Sequence, residues 1–89
     1  MPALANQLEL QSRLLRGLAD FHGEFLGVRI ARKHQTWFLE SLVQQGVLGN
    51  LAARDFRRSF NGLGSAQAQA RYHEGLATHL LKDRMLLAA

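Results

Sequence analysis

Apolar residues recur at helical spacing through most of the chain, and Gly and Asn, rather than Pro, supply the breaks. The first predicted helix spans 4–21, with Leu4, Leu8, Leu15, Leu18 and Phe21 toward a core and Gln7, Gln11 and Arg13 between them. His22-Gly23 and Gly27 then read as the brackets of a short turn. The second predicted helix, 28–45, is the most clearly amphipathic. At 100° per residue, Ile30, Ala31, His34, Trp37, Phe38 and Leu42 share one arc, with Trp37 at its border, while Arg29, Arg32, Lys33, Thr36 and Glu40 lie opposite. The run Gly46-Val-Leu-Gly49-Asn50 reads as a loop, with Asn50 a candidate N-cap.

A short third helix is predicted over 51–60. Phe56 and Phe60 would pack inward, Leu51, Ala52 and Ala53 would extend that face, and Arg54, Arg57 and Arg58 would lie on the other side. Asn61 to Gly64 end it, and Ser65 caps a fourth helix over 66–87, with Tyr72, Leu76, Ala77, Leu80, Leu81 and Leu87 inward. Val and Ile are few and no stretch alternates cleanly, so no strand is predicted. The fold expected is all-α, a small antiparallel bundle of four helices forming one monomeric domain. Its buried set should include Ile30, Phe38, Leu42, Phe56, Phe60, Leu76 and Leu80.

Composition narrows the function. The 89 residues contain no Cys, which removes disulfides, a thiolate nucleophile and thiolate metal sites. No run approaches the ~20 apolar residues of a membrane helix. The N-terminus lacks a basic segment followed by an apolar one, so no signal peptide is expected and the cytoplasm is the expected compartment. The four histidines, His22, His34, His73 and His79, form no i, i+4 pair, and no metal site is expected. His34, on the apolar arc, reads as a hydrogen-bonded core histidine. The carboxylates are scattered and the serines stand in no nucleophile context, so no catalytic residue is predicted and the chain alone is not expected to be an enzyme.

Charge is the informative feature. The formal net charge is +4. Residues 29–58 hold Arg29, Arg32, Lys33, Arg54, Arg57 and Arg58 against Glu40 and Asp55, while the remainder of the chain is balanced. A localised excess of this kind is the footprint of a polyanionic partner, although a merely solvated basic face has the same composition.

The run Gly27-Val-Arg-Ile-Ala-Arg-Lys-His-Gln-Thr-Trp-Phe-Leu39, followed by Phe56-Arg-Arg-Ser-Phe-Asn61, resembles the C-terminal helical domain of bacterial tRNA-dihydrouridine synthases of the B subfamily. Asp20-Phe-His-Gly-Glu24 is similar to the helix end that precedes that run. The resemblance covers residues from about Leu14 to Leu76. Val28 stands where the family usually has an aromatic, and the loop around Gln44 to Asn50 is longer than is common.

The resemblance implies a two-part parent enzyme. In it, a TIM barrel binds FMN and uses NADPH and a catalytic cysteine to reduce a uridine in tRNA, and the helical bundle helps to hold the tRNA. A barrel needs about 200 residues or more, so only the bundle fits this chain. It reads as an excised domain with an added start Met rather than a free-standing relative, with no cofactor of its own. The implied partners are tRNA and the barrel. Arg29, Arg32 and Lys33, with Arg54, Arg57 and Arg58, are the candidate RNA-binding residues, all expected to point to solvent. The alternative is a protein–protein interaction module with an exposed apolar groove or patch. A DNA-binding helix-turn-helix is disfavoured by the long loop after the second helix.

Overall fold

The computed structural model describes residues 3–88. Four helices follow one another: α1 (Leu4–His22), α2 (Glu24–Gln44), α3 (Asn50–Asn61) and α4 (Ala66–Ala88). Among the described residues there is no strand, and no helix is long and apolar enough to cross a membrane.

The connections set the antiparallel course. Gly23 alone joins α1 to α2. It takes φ 84°, a conformation open to glycine, and its N–H closes α1 on the Ala19 carbonyl. The turn is therefore confined to the start of the expected 22–27 segment, and α2 begins four residues earlier than expected, at Glu24 instead of Val28. Gly27 is not a bracket of that turn. It sits inside α2 against α1, where an added Cβ would fall 2.6 Å from the Ala19 Cα.

After α2, Gly46 N–H bonds the Val43 carbonyl and Val47 N–H bonds the Leu42 carbonyl, with Gly46 at φ 76°. This paired pattern satisfies two orphan carbonyls and turns the chain toward α3. Asn50 is the first residue of α3 and makes no side-chain cap; Gly49 occupies the cap position. The Ser65 hydroxyl does cap α4, accepting from Ala68 N–H at 3.1 Å. The Glu24 carboxylate adds a second acceptor, taking the Ala66 N–H at 2.7 Å, where a negative charge also suits the helix dipole.

Side-chain pairs give the register. Gln11 meets Gln35, and Gln7 meets Gln45 through two reciprocal bonds, so α1 and α2 run antiparallel. Phe56 and Phe60 both meet Tyr72 edge-on, which places α3 against α4. The helices alternate in direction, as expected of a short-loop bundle.

The core has two apolar parts. One contains Leu8, Leu39, Leu42, Leu48, Leu76 and Leu80; the other contains Leu15, Leu18, Ala31 and Phe60. Between them lies a polar layer. Gln11 Nε2–H donates to Gln35 Oε1 at 2.8 Å, Gln35 Nε2–H donates to His73 Nδ1 at 3.0 Å, and His73 Nε2–H donates to the Leu8 carbonyl at 3.0 Å. A carbonyl can only accept, so this chain of bonds selects the neutral Nε2–H tautomer of His73. The three side chains of this layer are thereby joined by hydrogen bonds and not left unpaired. Gln69 likewise donates to the Val28 carbonyl.

The layer shows why the inward arc of α2 differs from the apolar one. The residues buried on α2 are Gly27, Val28, Ala31, Gln35, Leu39 and Leu42. The helix is rotated by roughly a quarter turn from the orientation that hydrophobicity selects. Ile30, His34 and Phe38 are only half-buried, and Trp37 is exposed. The hydrogen-bonded core histidine is His73, not His34, which packs edge-on against Trp37.

Elsewhere Leu42, Phe60, Leu76 and Leu80 are buried as expected and Phe56 is half-buried. Phe21 and Leu51 face outward instead of inward, each at a helix end with no neighbouring element to cover it. Leu87 lies outside the described side chains.

Candidate nucleic-acid interface

The rotation of α2 sets what its outer face presents. Phe25, Arg29, Lys33 and Trp37 stand four residues apart and are all exposed. Spacing of this kind stacks side chains along one face. The Arg29 guanidinium lies over the Phe25 ring at 5.8 Å, and the Lys33 ammonium lies over the Trp37 ring at 5.8 Å.

Arg32 behaves differently from its neighbours. It is half-buried, its Nη2 donates to the Leu63 carbonyl at 3.3 Å, and its Nε is buried without a partner. The expectation that it points freely to solvent is thus corrected. Because α3 and the 61–64 turn pack beside α2, Arg32 ties that turn to α2 with part of its guanidinium.

On α3, Arg54 and Arg57 line an open groove with Thr36, Glu40, Val43 and Gln44 of α2. Tertiary packing therefore brings two of the α3 cations alongside α2, with Glu40 among them. Arg58, exposed in the last turn of α3, does not line this groove.

The electrostatics divide the molecule. The ion pairs among the described residues are Arg13 with Glu9, Arg16 with Glu74, and His79 with Asp83. All lie in the charge-balanced part. Arg29, Lys33, Arg54, Arg57 and Arg58 take part in none of them, so among the described residues no ion pair offsets their charge. The described residues contain no group of three metal-ligating side chains.

Phe25 and Trp37 were not among the site residues expected from the sequence. The signal for them is the i, i+4 spacing with Arg29 and Lys33; at Phe25 it is hidden by the expected turn over 22–27, and at Trp37 by the expectation that the ring packs toward the core.

No protein-family model matches the chain, and no solved structure matches it. Curated relatives do. The chain is 47% identical over 64 residues to tRNA-dihydrouridine synthase B of Pseudomonas aeruginosa, a match covering 68% of the chain and 17% of that protein. It is 40% identical over 78 residues to the protein of the same name from Vibrio vulnificus, covering 84% of the chain and 21% of the relative. A third, from Proteus vulgaris, is 32% identical over 79 residues, covering 89% of the chain and 22% of the relative. The chain thus spans about a fifth of the length of these relatives. With identity at this level running through most of an all-helical chain, the chain belongs with tRNA-dihydrouridine synthase B as a related segment.

Proposed function

We propose that this chain is the tRNA-binding helical module of a tRNA-dihydrouridine synthase, a non-catalytic cytoplasmic unit that positions tRNA for uridine reduction elsewhere in the parent enzyme. The observation that carries it is the set of cations on α2 and α3 that no ion pair among the described residues offsets, in a chain whose other arginines include members of surface ion pairs. Exposed arginines and lysines spaced over two adjacent helices suit the phosphates of a folded RNA. Arg29, Lys33, Arg54, Arg57 and Arg58 are the proposed phosphate contacts, and Arg32 supports them by holding the turn after α3.

FMN and NADPH belong to the catalytic barrel outside this chain. The residues here do not fit a flavin: the α2–α3 groove is open to solvent and places Glu40 beside its arginines, whereas a flavin ring needs an enclosed, mainly apolar slot. No chemical step is assigned to this chain.

The barrel is the second proposed partner. Leu10, Leu14 and Phe21 are exposed along one face of α1. In relatives about five times as long, such an apolar stripe suits a neighbouring domain. A protein-contact surface on α1 and an RNA-contact surface on α2 and α3 are compatible.

Fluorescence anisotropy with unmodified tRNA tests the proposal. Binding should weaken with salt at a log–log slope of about −3 to −4, as expected if roughly four phosphates are neutralised. The double change Arg29→Glu with Lys33→Glu should reduce binding strongly, and Arg57→Glu with Arg58→Glu should do the same. Arg84→Glu, in the balanced part, should leave it nearly unchanged. Equal losses from all three would remove the proposed location.

A further inference from the structure

We infer that the outer stripe of α2 binds unpaired nucleotides, with a base stacked on Trp37 and the adjoining phosphates held by Lys33 and Arg29. This rests on the RNA-binding function proposed above and makes it more specific, from phosphate contact to base contact.

Trp37 is the only tryptophan in the chain and keeps 54% of its surface exposed in the middle of a long helix. It is not among the buried residues of α2, whose inward positions on either side of it are Gln35 and Leu39. Lys33 lies over the ring and the His34 ring meets it edge-on at 5.4 Å. The indole is therefore held in place from its own helix while much of its surface stays open.

Phe25 repeats the arrangement with Arg29 two turns earlier. Aromatic, cation, cation, aromatic at four-residue intervals makes a stripe about 18 Å long, enough to follow several nucleotides of a strand. A planar face beside cations is the combination that single-stranded nucleic acid uses, bases on the rings and phosphates on the cations. Bases within an A-form duplex are already stacked and offer no free face, which selects unpaired nucleotides. The centre of a protein–protein contact is depleted in charge, whereas here each ring carries a cation.

The single tryptophan also supplies the test, because stacking of a base on an indole quenches its fluorescence. The full chain is titrated with unmodified tRNA, a 12-nucleotide oligouridylate and a 12-base-pair RNA duplex. Fluorescence of Trp37 and anisotropy of end-labelled RNA are followed in parallel. The tRNA and the oligouridylate should quench Trp37, and the duplex should bind through charge without quenching. Trp37→Ala should weaken the oligouridylate by about 5- to 100-fold, within the range for loss of one stacked base, while Trp37→Phe retains most of the affinity. Circular dichroism checks that both variants keep their helices.

Binding of tRNA that depends on salt and on Arg29 and Lys33, with no quenching and no effect of Trp37→Ala, overturns this inference and leaves the proposed function standing. Failure of every RNA to bind overturns both. Self-association abolished by Trp37→Ala, without any response to RNA, would make the stripe a protein contact.

Discussion

The inner and outer faces of α2 invert the usual sorting of residue types. The inner face buries Gln35 among Val28, Ala31, Leu39 and Leu42, while the outer face exposes Trp37 and Phe25 among cations. Gln35 is tolerated inside because both ends of its amide are bonded, to Gln11 and to His73. A buried polar group is costly only when it lacks partners. The outer rings are surrounded by charge instead of by other apolar groups. Apolarity alone does not decide which way a side chain turns; the complement available on neighbouring helices does.

The strongest way to break the inner face is to empty its centre. Leu42 is fully buried, and Leu42→Ala should cost on the order of 2–5 kcal/mol in urea denaturation. A loss below about 1 kcal/mol would show that the cavity collapses and that this part of the core is loosely packed. The same measurement on Phe38→Ala should give a smaller loss, since Phe38 is only partly buried.

Close approach of α1 and α2 gives the next effect. At Gly27, a methyl would meet the Ala19 Cα at 2.6 Å and the Leu18 carbonyl oxygen at 2.9 Å, all backbone that cannot rotate away. Gly27→Ala should destabilise by about 1–3 kcal/mol through forced separation of the helices. Gly17 has open space around its Cβ position, so Gly17→Ala should stabilise by up to about 1 kcal/mol through helix propensity. Opposite signs for one chemical change in two helices are the outcome to look for in thermal or urea melts.

The polar layer makes the inner face sensitive to pH. Burial holds the His73 pKa below the ordinary histidine value, against the opposing effects of its bond to the Leu8 carbonyl and of Glu74 nearby. The unfolded chain takes up a proton near pH 6.5 that the folded chain resists. Stability is thus fully present above that pH and declines as pH falls below it. The urea midpoint should drop between pH 7.5 and 5.5. In His73→Gln, which keeps a donor and an acceptor without titrating, it should drop less. Equal drops in both would assign the effect to other groups.

The outer face should show the smallest effect on stability. Arg29→Glu and Lys33→Glu, the changes expected to disable RNA binding, should each shift the unfolding free energy by no more than about 0.5 kcal/mol. A larger loss would mean that the cation–ring pairs hold α2 together and that the outer face is structural.

Much of this organisation is legible from spacing alone. Helix number, class and approximate bounds follow from 3.6-residue periodicity and from Gly and Asn breaks, because helix formation and termination depend on nearby residues. The Ser65 cap, the buried Phe60, Leu76 and Leu80, and the concentration of unpaired charge in residues 29–58 follow in the same local way. The rotation of α2 does not. It depends on partners distant in the chain: Gln11 and His73, which make a buried Gln35 favourable, and Ala19, which admits only a glycine at position 27. That rotation turns Trp37 outward, and the packing of the 61–64 turn against α2 removes Arg32 from free solution. Side-chain chemistry within one helix cannot anticipate either outcome, because each is settled by hydrogen bonds and contacts that exist only after the four helices have come together.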